Sequence, residues 1–355
     1  MAYLPLSTAN LPDPVIDPAK GSSPEDYFDI DIYSGTSATH ERSNFTFQPD
    51  FLWLKRRDGT GDHIVHDILR GTDGINRLFP NLTREESTDG DGFLSIDDDG
   101  FTLTSSGGDV NTSGRTYVAW GWKAGGSGVS NTDGSITSTV SASTESGFSI
   151  VTYTGTGASA TIGHGLDQTP EMIIVKARDV TPGPDWQVGV ASDFSKQLHL
   201  NDTTAFSSNS NIFSTPNSTT FPLGSNSSVN GSGDNFVAYV FHSVDSYSKI
   251  SSYVGNGSSD GVFVYTGFRP AFVMVKATDS TASWVIIDNE RAGYNVENYR
   301  LFAESANAES TTTPIVDLLS NGLKWRNNFG NFNGSGTNYI YMAFAENPFK
   351  YSNAR

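Results

Sequence analysis

Histidine, acidic and glycine-rich positions are where chemistry would show first. The chain has six histidines: His40, His63, His66, His164, His199 and His242. His63 and His66 stand three apart in a strand-like run, so alternation sends them to opposite faces and they form no metal pair. There is no Cys, which removes disulfides, thiolate metal sites and a cysteine nucleophile. No Ser-His-Asp set is suggested for a serine nucleophile. Gly155-x-Gly157 and Gly255-x-Gly257 suggest phosphate loops, but no helix follows either, and they read as hairpin turns. Asp89, Asp91, Asp97, Asp98 and Asp99 offer calcium its preferred oxygen ligands. Their spacing is not that of a helix-flanked calcium loop, and they read as a solvated turn. Acidic residues number 39, which leaves a carboxylate pair for glycoside cleavage open. The sequence thus predicts no catalytic residues, no metal ligands and no cofactor. Trp186 and Trp284 read as core first and sugar-stacking platforms second. Trp325, Tyr294 and Tyr299 are candidates for a recognition surface.

The elements that must carry these residues repeat about every 100 positions. Tyr33-Ser34-Gly35, Tyr153-Thr154-Gly155 and Tyr253-Val254-Gly255 each precede a proline by sixteen or seventeen residues: Pro49, Pro170 and Pro270. From each proline an apolar run reaches a lysine six residues on: PDFLWLK to Lys55, PEMIIVK to Lys176, PAFVMVK to Lys276. A second anchor closes each copy with Ser-Gly and an aromatic: Gly114 and Tyr117, Gly233 and Phe236, Gly336 and Tyr339. Proline fixes φ and lacks a donor, so it suits the first position of a strand. The apolar run reads as a strand buried on both faces. The lysine is expected to leave the core with its stem over apolar surface. Trp122, Phe241 and Phe344 follow their partner aromatics by five residues. Alternation puts the two aromatics of a copy on opposite faces, one toward its own core and one toward a neighbouring copy.

WQVGV, WVIID and HIVHDIL, with DGFTL and NGLKW, add strands. The expected fold is all-β: three tandem divergent β-sandwich (jelly-roll-like) repeats of about 100 residues, after an extended arm. Short helices are predicted at Glu304–Ser310 and Pro314–Ser320, the latter capped by Thr313. Residues 1–28, with five prolines, read as an extended anchoring arm. Repeats then span 29–124, 148–246 and 247–349. Residues 125–147 read as a flexible Gly/Ser/Thr linker, and 350–355 as a tail.

Composition agrees with many short strands. There are 36 Gly, 22 Phe, 14 Tyr and 6 Trp. The net charge of −17 argues against nucleic acid and anionic membrane surfaces as partners. No stretch is long and apolar enough for a membrane helix, so no membrane insertion is expected. The N-terminus shows no basic region followed by an apolar run, and no secretory signal is expected.

The stretches FQPDFLWLKRRDGTGDH, SGRTYVAWGWKAGG, GFSIVTYTGTG, FVYTGFRPAFVMVKATD and YIYMAFAENPFKYSNAR resemble repeats in uncharacterised virion proteins of marine bacteriophages, a family labelled as a domain of unknown function. The resemblance covers about residues 25–355. It implies a non-enzymatic structural protein of the virion, assembled in the host cytoplasm. The role implied is a tail fibre or appendage that recognises a host surface glycan. A capsid-surface decoration protein and a polysaccharide depolymerase are the alternatives. The arm, residues 1–28, is expected to dock on other virion proteins, and the chain to form a homo-oligomer.

Overall fold

The chain is almost entirely β-structure in a computed structural model that describes residues 11–72, 76–88, 92–105, 109–208 and 211–352. The first segment contributes β1 (Phe28–Ser34), β2 (His40–Arg42), β3 (Phe51–Arg56), β4 (Ile64–Asp67), β5 (Phe93–Asp97), β6 (Gly100–Leu103) and β7 (Thr116–Trp122). The second contributes β8 (Val129–Asn131), β9 (Ser138–Ser143), β10 (Phe148–Thr154), β11 (Ala160–Gly163), β12 (Met172–Ala177) and β13 (Gln187–Val190). It continues with β14 (Lys196–His199), β15 (Ser207–Ser208), β16 (Thr220–Leu223), one helical turn α1 (Ser227–Asn230) and β17 (Asn235–Phe241). The third contributes β18 (Ser248–Val254), β19 (Phe263–Tyr265), β20 (Phe268–Ala277), β21 (Val285–Asp288) and the helical turn α2 (Asn289–Ala292). It ends with β22 (Leu301–Phe302), β23 (Val316–Leu319), β24 (Gly322–Trp325) and β25 (Asn338–Pro348).

One antiparallel order appears in each segment: β1-β7-β3-β4, β10-β17-β12-β13 and β18-β25-β20-β21. The registers correspond. Tyr33 lies opposite Tyr117, Tyr153 opposite Phe236 and Tyr253 opposite Tyr339. Lys55, Lys176 and Lys276 lie opposite Val118, Val237 and Ile340. A smaller sheet accompanies each large one: β2-β6-β5, β11-β16 and β19-β24-β23.

Period-two alternation sorts the side chains of the large sheets into two kinds of core. Leu52, Leu54 and Tyr117 pack with Phe93 and Phe101 of the small sheet into a core of the first segment alone. The second and third segments have matching private cores. The opposite faces meet in one shared core holding Phe51, Trp53, Trp120, Trp122, Tyr239, Phe241, Phe272 and Phe344. Phe51 and Tyr239 rings are 4.5 Å apart, Trp120 and Phe272 5.8 Å, Phe241 and Phe344 6.2 Å. A void of only about 20 Å³ remains among them, with apolar walls. Trp122, Phe241 and Phe344 therefore face the neighbouring segments, and Tyr117, Phe236 and Tyr339 their own, as alternation requires.

Several expectations are corrected. Residues 125–147 are not a structureless joint: β8 and β9 extend the second large sheet beside β10. Their Ser, Thr and Val side chains fit a pleated edge, so strand pairing overrides the small-residue composition. Residues 11–28 are not an extended arm. Ile16 is buried in the shared core, and Tyr27 donates to Glu145 (2.8 Å). Tyr351 donates to Asp17 (2.7 Å), and Lys350 to Asp13 (2.6 Å). Residues 1–10 lie outside the described residues, as do Asp89 and Asp91 of the acidic cluster. The two predicted helices are absent: Val316–Leu319 is β23, and residues 304–310 form a turn and an irregular stretch. Pro49 and Pro170 fall two residues before β3 and β12, and Pro270 sits inside β20 at a register shift. A bulge is where a sheet tolerates the missing donor.

Candidate functional site

The three lysines do not leave the core. Lys55, Lys176 and Lys276 are at most 1% exposed. Each shares its strand face with residues two and four positions earlier, such as Trp53 and Phe51, which point into the shared core. Its ammonium is therefore carried to the rim of that core, against the next segment. Lys55 Nζ donates to Arg56 O (2.7 Å) and to Ala306 O of the third segment (3.3 Å). Lys176 Nζ donates to Pro184 O (2.6 Å) and to Thr83 O of the first (2.8 Å). Lys276 Nζ donates to Ala282 O (2.8 Å) and to Thr203 O of the second (3.0 Å). Burial pushes each of the three down to about 8.

The links run first to third, second to first, third to second, and so close a ring. A second set follows the same direction. Trp186 Nε1 donates to Phe79 O (2.9 Å) and Trp284 Nε1 to His199 O (2.8 Å). In the first segment His63 takes this part, its Nε2 3.0 Å from Phe302 O while Nδ1 accepts from Trp53 Nε1 (2.8 Å). Burial holds His63 well below its ordinary pKa, which suits a neutral ring with one N–H. A third set is backbone: Glu309 N to Arg57 O, Glu86 N to Arg178 O and Phe206 N to Thr278 O.

The three junctions differ in charge. Between first and second, Arg70 and Asp67 form a fully buried pair. Glu86 accepts from Arg70 (2.8 Å) and Arg178 (2.7 Å), and Tyr239 donates to Asp67 (2.7 Å). Between third and first, Arg291 and Asp288 pair at 2.6 Å. Glu309 accepts from Arg291 (2.8 Å) and Arg57 (3.1 Å), and Trp120 Nε1 donates to Asp288 (2.9 Å). The junction between second and third has Val190, Met342, Phe206 and Thr278 at the matching positions, and among the described residues no such network forms there.

The closing anchors hold loops. Gly114, Gly233 and Gly336 take φ of +74°, +85° and +72°, the left-handed region that favours glycine. Three asparagines escaped the sequence reading. Asn111, Asn230 and Asn333 are each 0% exposed. The side chain of Asn230 accepts from Thr156 N (2.8 Å) and donates to Gly224 O (3.0 Å). Asn111 and Asn333 bind the matching loops. Each stands three residues before its glycine, as NTSG, NGSG and NGSG, so the signal was present in the letters.

The surface is less uniform. Trp325, a recognition candidate, is buried, and Trp186 and Trp284 are core. Tyr299 is half-buried beneath the Arg57 guanidinium. Tyr294 is 84% exposed. Phe263 and Tyr265 project from the same face of β19, an edge strand, and are 46% and 60% exposed. With Phe329 they complete the exposed large aromatics among the described residues, all in the third segment. Open grooves of about 480 and 460 Å³ mark the junctions between first and second and between second and third segments. In the latter the carboxylates are engaged: Asp193 with Ser195 and Lys196, Asp279 with Asn338. Among the described residues no helix is long and apolar enough to cross a membrane.

These features define an all-β protein whose large sheets share one core and lock to one another head to tail. Residues 23–348 match the family described as a domain of unknown function, DUF7483, and the chain belongs to that family. No curated protein and no solved structure matches it.

Proposed function

We propose that the chain is a structural component of a bacteriophage virion, a tail fibre or tail appendage that presents a rigid β-scaffold to a glycan on the host surface. The scaffold is read as a triplicated β-sandwich. Corresponding registers and the closed ring of lysine links, with an indole or imidazole link beside each, support that reading. The observation that carries the recognition role is the gathering of exposed aromatics on the third segment. Exposed aromatic faces away from any core mark binding surfaces, and an aromatic ring offers a flat apolar platform with little entropy to lose. With residues 11–27 committed to this chain, attachment to other virion proteins falls to the first ten residues. The protein works as a homo-oligomer, so that weak sugar contacts add through avidity.

The test has two parts. Labelling the chain in intact particles should place it on the tail; label on the shell points instead to a capsid-decoration role. Phe263→Ser with Tyr265→Ser and Tyr294→Ser should cut binding of the purified protein to host cells at least ~10-fold with Tm unchanged. Unaltered cell binding by the triple variant refutes the recognition surface.

A further inference from the structure

The junction without a charge network carries a cluster that the other two lack. Nδ1 of His199 stands 2.9 Å from Asp202 Oδ2 and 3.5 Å from Asp185 Oδ2, and the three atoms lie within 4.8 Å of one another. The outer oxygens of both carboxylates are already fixed. Asp185 Oδ1 accepts from Asn201 Nδ2 (2.7 Å), and Asp202 Oδ1 from Thr204 N (2.8 Å) and Oγ1 (2.6 Å). The Oδ2 atoms are thus held toward the imidazole. Three ligands at ~2.0–2.1 Å around a tetrahedral zinc ion stand about 3.3 Å apart, between the two separations seen here.

A second observation comes from the far side of the ring. Gln197 is 7% exposed, and its Oε1 is buried with no hydrogen-bond partner, while Nε2 lies 3.3 Å from His199 Nε2. Two hydrogen-bond patterns of the neutral imidazole fit these atoms. In one, Nδ1–H donates to Asp202, Nε2 accepts from the Gln197 amide, and Oε1 stays orphaned. In the other, the amide is turned over, Oε1 accepts from Nε2–H, and the Nδ1 lone pair faces the two carboxylate oxygens. A positive charge at Nδ1, whether a metal ion or a second ring proton, makes the second pattern favourable and gives the buried Oε1 a partner. A ligating histidine whose other nitrogen is held by a fixed acceptor is the usual arrangement around a metal.

His199 and Asp202 are not part of the shared scaffold, whereas Asp185 with Asn201 matches Asp62 with Asn81 of the first segment. The carbonyl that accepts the neighbouring indole or imidazole belongs to Phe79, His199 and Phe302 in turn. Three residues further on come Leu82, Asp202 and Ser305. His199 and Asp202 therefore replace apolar or small neutral groups at equivalent places. They lie just before Thr203, whose O accepts from Lys276 Nζ and Ala282 N.

We propose that Asp185, His199 and Asp202 bind a divalent first-row transition ion, with zinc fitting best, which clamps the 199–204 loop against the third segment. Water completes the coordination, since the side chains of Asp185 and Asp202 are 37% and 31% exposed. The mixed nitrogen and oxygen donor set favours zinc over calcium or magnesium.

The test uses the full-length chain stripped with a chelator and titrated with zinc chloride by calorimetry. One ion per chain should bind, and zinc at ~100-fold above the Kd should raise Tm by about 4 °C. Cobalt(II) should show the visible bands of a four-coordinate site. His199→Phe and Asp202→Leu introduce the residue types of the first segment, so both should fold, and both should abolish binding. Gln197→Leu should weaken binding ~10-fold or more while leaving one site. Absence of stoichiometric zinc binding to the wild-type chain, binding unchanged in His199→Phe, or calcium binding more tightly than zinc would each overturn the proposal.

Discussion

Arg70→Met tests whether the segments are held as a closed ring. The Arg70 side chain is fully buried and donates to Asp67, Glu86 Oε1 (2.8 Å) and Val65 O (3.0 Å). Methionine fills much of the space and removes the charge. Glu86 keeps Arg178, but Asp67 is left as an uncompensated carboxylate with no exposed surface. Breaking one side of such a pair costs ~3–5 kcal/mol. At ~2.1 cal/mol/K per residue, 355 residues give an unfolding entropy of about 0.75 kcal/mol/K, so Tm should fall by roughly 4–7 °C. Adding Asp67→Asn should then restore stability. The amide keeps an oxygen for the N–H groups of Leu69 and Arg70, which Asp67 Oδ1 now accepts at 3.1 and 3.0 Å. Its Nδ2 can donate to the Tyr239 hydroxyl, now 2.7 Å from Asp67 Oδ2. The double variant should therefore recover more than half of the loss, as read by calorimetry and urea melts. A single variant within ~1 °C of wild type, or a double variant less stable than the single, would falsify the account of this junction.

The remaining expectations concern the same interior. Burial raises Glu297 to about 8 and Asp29 to about 6, so their contributions are full below the unfolded carboxylate pKa and are lost as pH rises through those values. Lys55, Lys176 and Lys276 at about 8 act oppositely: stability rises with pH between 8 and the unfolded lysine value, by up to ~1.4 kcal/mol per pH unit for each. Above pH 10 the buried hydroxyls of Tyr153, Tyr239 and Tyr253, held well above their ordinary pKa by burial, reverse the trend. Urea midpoints should thus pass a minimum near pH 8 and climb toward pH 9.5, and a flat or falling profile over that second range contradicts the buried ammonium ions. Asn230→Ala strands Thr156 N and two loop carbonyls and should cost ~2–4 kcal/mol, measured by urea unfolding. Ile16→Asp should lower Tm by several degrees, because Ile16 lies in the shared core; an unchanged Tm means that residues 11–27 dock only superficially.

Much of the strand framework was legible because strand signals are local. Proline, apolar run and lysine mark β3, β12 and β20, and alternation assigns Trp122, Phe241 and Phe344 to a neighbouring segment. Which neighbour, and with what chemistry, was not. Lysine carries a prior for the surface, and only the face shared by Phe51, Trp53 and Lys55 reverses it. Ser- and Thr-rich β8 and β9 lack the apolar signal of a core strand, since an edge strand is specified by its partner β10. Asp185, His199 and Asp202 are separated in sequence and meet only when β13 and β14 pair. The asparagines ahead of Gly114, Gly233 and Gly336 are legible as a repeated N-x-S-G, a polar signal that apolar periodicity does not contain.

A closed ring built from one chain has a freedom that three identical subunits lack. Lysine links occur at every junction, joined by an indole at two and an imidazole at the third, and set a common geometry. The charged residues then vary by junction: Asp67 with Arg70, Asp288 with Arg291, and Val190 with Asp193 at the third. Each replacement is matched across the junction: Tyr239 donates to Asp67 and Trp120 to Asp288, while Met342 holds the equivalent register position in the third segment. A lone Arg or Asp at any of them would leave a buried charge unpaired, so the partners must change together. The same independence reaches the exterior. Exposed aromatic rings can gather on the third segment and a histidine–carboxylate cluster on the second because the common links, all interior, do not depend on either.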